Sequence, residues 1–132
     1  MIPTGFITRL RVELIDPLAH DGQGEWALLN DLVYRGKDGA LWTVPTGFRT
    51  DFASVPRLPF AYAWAGNTAH APSALHDWAC RTGACPRPRA DELFAEAMES
   101  IGMPPWRIGL MYRAVSGYTR ALAARINPWS DA

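Results

Sequence analysis

In this 132-residue chain the residue types best suited to chemistry meet at the adjacent pair His76 and Asp77, with Asp51 and Asp91 as their expected carboxylate neighbours. The pair interrupts an apolar run, Ala74-Leu75-His76-Asp77-Trp78-Ala79. Neighbouring helix positions point about 100° apart, so the two side chains do not face each other but can border one cavity from two directions. One can then bind a metal while the other moves a proton. Histidine suits the proton-moving role because its ordinary pKa of about 6.5 lies near neutrality. The competing account makes His76 a hydrogen-bonded core residue and Asp77 a surface acid, and spacing alone favours that account.

Asp91 follows Ala90 and stands at the edge of an apolar recurrence, one turn before Phe94 and two before Met98, which half-buries it. Placement of an acid near a helix start is favourable in itself by roughly 0.3–1 kcal/mol. In the functional reading the short connection Thr82 to Arg87 folds one helix back on the other, and Asp91 orients His76 by accepting from its far ring nitrogen. Asp51 sits in Gly47-Phe48-Arg49-Thr50-Asp51-Phe52-Ala53-Ser54-Val55-Pro56, where an unpaired charge would be expensive. It either closes a turn by accepting from backbone N–H groups, or serves as a metal ligand or a partner for Arg49, Arg57 or Arg113. In the second case Thr50, Ser54 and Arg113 line the site. Ser54 is a poor nucleophile candidate, since no Gly-x-Ser-x-Gly elbow surrounds it. His76, Cys80 and Cys85 make H-x3-C-x4-C, which lacks a fourth ligand and the C-x2-C spacing of a structural zinc site, and free thiols are expected. His20 and His70 stand isolated in turn-like stretches and are expected in solvent.

The elements that must hold these residues divide into strands first and helices after. Phe6 to Leu14 alternates apolar and polar, as a half-buried strand does. A second apolar run from Trp26 to Arg35 ends at Lys37-Asp38-Gly39, and Leu41 to Phe48 is its hairpin partner, with Pro45 marking an edge or strand end. Pro56 and Pro59 exclude regular helix after Asp51. Pro72 opens a helix that Gly83 stops, Pro88 opens a second with Ala90, Leu93, Phe94, Ala97, Met98 and Ile101 on one face, and Pro104-Pro105 starts a third reaching about Arg125. Its inner side is expected at Leu110, Met111, Ala114, Val115, Tyr118, Ala121 and Leu122, with a frayed tail after Asn127-Pro128. The expected fold is α+β: one domain over 1–132, a small N-terminal antiparallel sheet (about 6–49) and an irregular segment (50–71), packed on three C-terminal helices (about 72–125).

The totals restrict partners. Thirteen basic and thirteen acidic side chains cancel, and no basic run offers a footprint for nucleic-acid phosphates. Near-zero net charge mildly favours a bound or homo-oligomeric state. No stretch reaches the roughly 18–20 apolar residues of a membrane span, and the start of the chain lacks a secretion signal, so synthesis in the cytoplasm is expected. The six tryptophans serve as core and interface anchors rather than a ligand box.

Two stretches together, Val44 to Arg57 with its Thr-Asp-Phe-Ala-Ser-Val-Pro string, and His76-Asp77 followed by Arg89 to Met98, are distinctive. They resemble the phage and prophage family known as domain-of-unknown-function family 1353, over about Leu28 to Tyr118. The resemblance implies an origin in a bacteriophage or integrated phage-like element, beside virion or lysis genes, without an assigned activity. The second half is also similar in pattern to prokaryotic phospholipase A2, which implies His76 as base, Asp77 as a metal ligand and Asp91 as the orienting acid. Cys80 replaces the expected tyrosine, and no glycine-rich calcium loop precedes His76. The resulting expectation is a phage-encoded hydrolase of cell-envelope material, with a divalent cation, calcium or zinc, on Asp77 and Asp51. The alternative is a non-catalytic virion or assembly component at the tail or its tip.

Overall fold

The computed structural model describes residues 4–22, 24–52 and 69–126. Ser54, Pro56, Pro59 and the tail after Asn127 therefore lie outside the described residues. The order is α+β as expected, but the strands form two small antiparallel sheets rather than one. Strands β1 (Gly5–Phe6), β4 (Leu32–Arg35) and β5 (Leu41–Val44) make the first, in the order β1-β4-β5. Strands β2 (Val12–Asp16), β3 (Glu25–Leu28) and β6 (Arg49–Thr50) make the second, in the order β2-β3-β6, with a short helix α1 (Ala19–Gly22) between β2 and β3.

The split has a local cause. Both expected long strands change sheets at the same level, and polar side chains replace ladder bonds there. The Thr8 hydroxyl donates to the Asp31 carbonyl at 2.8 Å and accepts from the Val33 N–H at 2.9 Å, while Asn30 Nδ2 donates to the Arg9 carbonyl at 3.2 Å. Alternation of side chains survives such a crossover, so the pattern reads as one strand on each side of it. The β4–β5 hairpin does form, pairing Leu32 with Val44 and Arg35 with Leu41. Asp38-Gly39 closes it: Gly39 adopts φ 83°, and Asp38 Oδ1 accepts from the Ala40 N–H at 3.0 Å.

Among the described residues three helices follow: α2 (His70–Thr82), α3 (Arg87–Ser100) and α4 (Pro105–Ile126). Pro72 and Pro88 fall within the first turns of α2 and α3, where a missing N–H costs nothing. Gly83 ends α2 in the left-handed conformation, φ 67°, donating its N–H to the Ala79 carbonyl. The apolar stripe of α3 is buried as its periodicity requires, at Ala90, Leu93, Phe94, Ala97 and Met98, with Asp91 inside the same face. On α4 the inner side is narrower than expected: Met111 and Val115 are buried and Ile108 packs on the core, but Leu110 and Ala114 face solvent.

The core gathers Leu28, Leu32, Tyr34 and Val44 of the strands with Leu75 of α2, Leu93, Phe94 and Met98 of α3 and Met111 of α4. The Tyr34 phenol within it is anchored. Tyr34 Oη donates to Glu96 Oε1 at 2.9 Å, and the same oxygen accepts from the Lys37 N–H at 2.7 Å, fixing the hairpin turn to α3. Burial beside that carboxylate drives the Tyr34 pKa far above its ordinary value, so the hydroxyl keeps its proton.

Candidate functional site

Because α2 and α3 pack together across the short turn after Thr82, the buried faces of both helices meet at His76 and Asp91. His76 Nε2 lies 2.7 Å from Asp91 Oδ1, with the residues only 4% and 1% exposed. The ring of Phe94 stacks on the imidazole at a centroid distance of 5.0 Å and an interplanar angle of 33°. Burial pushes the His76 pKa below its usual value, and the nearby Arg87 charge works in the same direction. The hydrogen bond and charge of Asp91, and the charge of Asp77, pull against them without reversing the sign. A neutral imidazole must donate from Nε2 to the Asp91 carboxyl oxygen, and that tautomer carries its basic lone pair on Nδ1.

This depressed pKa has a measurable consequence for folding. An unfolded histidine takes up a proton near pH 6.5, whereas the buried imidazole resists until the pH is lower. Over that interval the unfolded state binds more protons, so stability rises with pH. The contribution of His76 is fully present above about pH 6.5 and is lost as the pH falls toward the lower folded value. Thermal melts of the wild-type chain at pH 7.5 and 5.5, compared with His76→Gln, should show a steeper acid loss in the wild type. Parallel pH slopes would contradict this assignment.

Cys80 also reaches the imidazole, with Sγ 3.6 Å from His76 Nε2, one helical turn along α2. Burial raises its pKa to about 11, and raises that of Cys85 as well. Both cysteines are free, as expected, and Cys80 stays a thiol rather than the thiolate a cysteine nucleophile requires. Among the described residues no group of three or more His, Cys, Asp or Glu side chains is placed to hold a metal ion.

The other expected site residues take no part in this contact. Asp77, one position on, turns toward Arg81, whose Nη1 lies 3.4 Å from Asp77 Oδ2. Arg81 also donates to the Arg49 carbonyl and lies over the Phe48 ring at 4.9 Å. One guanidinium thereby ties Asp77 to Arg49 of β6, which Thr50 and then Asp51 follow. Thr50 is buried at 1% exposure and its hydroxyl accepts from the Phe52 N–H at 3.1 Å, supporting the left-handed Phe52, φ 56°. Asp51 is half-buried beside that turn. Arg113 stands exposed on α4, and Ser54 lies outside the described residues. His70, expected in a turn, instead opens α2 and meets the Phe52 ring edge-on at 4.8 Å.

Two neighbours escaped sequence reasoning. Phe94 is legible as a core residue but not as the wall of the imidazole. Ser73 lies three residues before His76 and so on the same helix face; it is wholly buried, and its hydroxyl has no hydrogen-bond partner among the described residues. The i, i+3 spacing in Pro-Ser-Ala-Leu-His was the available signal.

Comparison with known proteins gives little chemistry but a clear relationship. A family model described as a protein of unknown function (DUF1353) matches residues 26–115, a span containing every candidate residue named above. An uncharacterized protein, y4jT, of Sinorhizobium fredii (strain NBRC 101917 / NGR234) is 32% identical over 98 residues, covering 69% of this chain and 28% of that protein. The chain thus spans well under a third of the relative's length. No solved structure matches.

Proposed function

Since the chain belongs to the family of proteins of unknown function DUF1353, we propose that His76 and Asp91 form the general base of a hydrolytic site. The observation that carries this reading is the 2.7 Å contact between a buried carboxyl and an imidazole kept neutral by burial. Such a pair has the parts of a base: a lone pair on Nδ1, a fixed tautomer, and an acid that stabilises the imidazolium once formed. In the proposed reaction His76 Nδ1 takes a proton from water as the water oxygen attacks the substrate's electrophilic centre. The imidazolium then returns that proton to the leaving group. Ser73 adds a donor on the same helix face, with a hydroxyl that is unpartnered among the described residues and suited to a water or a substrate oxygen.

The implied phage setting suggests cell-envelope material as the substrate class. A calcium or zinc ion on Asp77 and Asp51 would have to displace Arg81, a pair worth only about 0.3–0.5 kcal/mol. Among the described residues Asp77 and Asp51 belong to no group of three His, Cys, Asp or Glu side chains placed to hold an ion.

The near-complete burial of both partners favours a second reading, in which the pair locks α2 to α3 in a non-catalytic virion or tail-tip component. His76→Gln separates the two. Under the hydrolytic reading, release of soluble product from purified peptidoglycan sacculi or phosphatidylglycerol vesicles should fall on the order of 10²–10⁴-fold. The Tm should fall by only roughly 3–5 °C, as about 1 kcal/mol produces in a domain of this size. A wild-type chain inactive on both substrates, with a variant that does not fold, leaves the locking role.

A further inference from the structure

Strand β2 has one edge hydrogen-bonded to β3 and, among the described residues, no strand on the other. The register shows which groups are left over. Leu28 spends its backbone bonds on the β6 side, donating to the Phe48 carbonyl at 3.0 Å and accepting from the Gly47 N–H at 2.8 Å. Its neighbours Ala27 and Leu29 must therefore turn toward β2, and the Leu29 N–H does donate to the Arg11 carbonyl at 2.8 Å. Glu13 stands opposite Ala27. Arg11 and Glu13 are thus spent inward, while Leu10, Val12 and Leu14 direct their N–H and C=O groups away from the sheet.

At the end of that edge Leu14 is 43% exposed, and Ile15 and Leu18 just beyond it are 41% and 83% exposed. A register shift between Leu14 and Asp16 ends the regular ladder, so only the stretch up to Leu14 can accept another strand.

We propose that this edge pairs antiparallel with the same edge of a second copy of the chain, across a two-fold axis at Val12. Outward residues must face outward residues, which leaves few registers, and charge selects among them. With Val12 opposite Val12, Arg11 of each copy faces Glu13 of the other, and Leu10 faces Leu14. Sliding one repeat in either direction sets Glu13 opposite Glu13 or Arg11 opposite Arg11. Such directly opposed pairs stand about 4.5 Å apart at Cα, close enough for like charges to destabilise and opposite charges to support. Arg11 and Glu13 are both exposed on the free chain, and a net charge of 0 leaves no general repulsion between copies. The contact is isologous and closes on itself with about six backbone hydrogen bonds, so it stops at a dimer.

Sedimentation equilibrium of the full chain from about 1 μM to about 1 mM is expected to show reversible dimerisation. Arg11→Glu should weaken it at least tenfold by facing Glu with Glu, and the double variant Arg11→Glu/Glu13→Arg should restore it. Val12→Pro, which removes an outward N–H unused among the described residues, should abolish it while circular dichroism stays unchanged. A chain monomeric throughout, a dimer indifferent to Arg11→Glu, or a loss that the double swap does not repair would each overturn the proposal.

Discussion

Phe94→Ala is expected to lower the stability of this domain by about 3–5 kcal/mol, the cost of emptying a wholly buried aromatic site. The ring is 0% exposed, belongs to the central stripe of α3, and forms one wall of the imidazole pocket. Domains of this size hold only about 5–15 kcal/mol in reserve, so the variant should sit close to its unfolding threshold at 37 °C. The loss has a second signature. Water entering beside His76 would relieve the burial that depresses its pKa, so the imidazole should titrate closer to the ordinary value in whatever fraction stays folded. Urea midpoints measure the first effect and NMR titration of the imidazole the second. A loss under about 1 kcal/mol would mean that the core collapses around the gap.

Asp91 should give the next largest effect, and its two simplest replacements should behave differently. Asp91→Ala leaves the His76 Nε2–H inside the protein with its acceptor removed, a loss of about 1.5–3 kcal/mol. Asp91→Asn retains an amide oxygen of nearly the same shape to accept that proton, so its stability loss should be half as large or less. For hydrolysis the order reverses in significance. The amide cannot stabilise an imidazolium as a carboxylate does, and the rate should fall on the order of 10²–10⁴-fold in a chain that remains folded. Combining Asp91→Ala with His76→Phe should cost less than the two single changes added together, because the orphaned donor is gone. Additive losses would show that the 2.7 Å contact contributes nothing as a pair.

How much of this was legible in the sequence depends on whether the deciding interaction is local. The α3 stripe, the Asp38-Gly39 hairpin and the glycine stop of α2 are set by residues within a few positions of one another, and each forms where its chemistry predicts. The meeting of His76 with Asp91 was also legible, since a short turn between two helices leaves little choice about which faces oppose. The division into two sheets was not. Alternation states that a residue is half-buried and is silent on which strand it pairs with, and the crossover depends on Thr8 finding Asp31 and Val33. Arg81 was overlooked for the same reason: its link from Asp77 to β6 exists only once α2 has docked there. The α4 face was misjudged at Leu110 and Ala114 because that helix covers the core along a narrow line.

The triple junction at Glu96 carries an implication for synthesis on the ribosome. Tyr34 and Lys37 each wait for partners on α3, the first 62 residues downstream, whereas His76 and Asp91 are separated by 15. Closing the longer span is harder by roughly two doublings of loop length, about 1.2 kcal/mol. It also cannot begin until Glu96 has emerged from the exit tunnel. The helical half can therefore assemble as soon as it is translated, while the strands made first remain without the Glu96 carboxylate that accepts from them. A nascent chain stalled before α3 would hold a tyrosine-bearing hairpin with nothing to close on, and would be the species most in need of a chaperone.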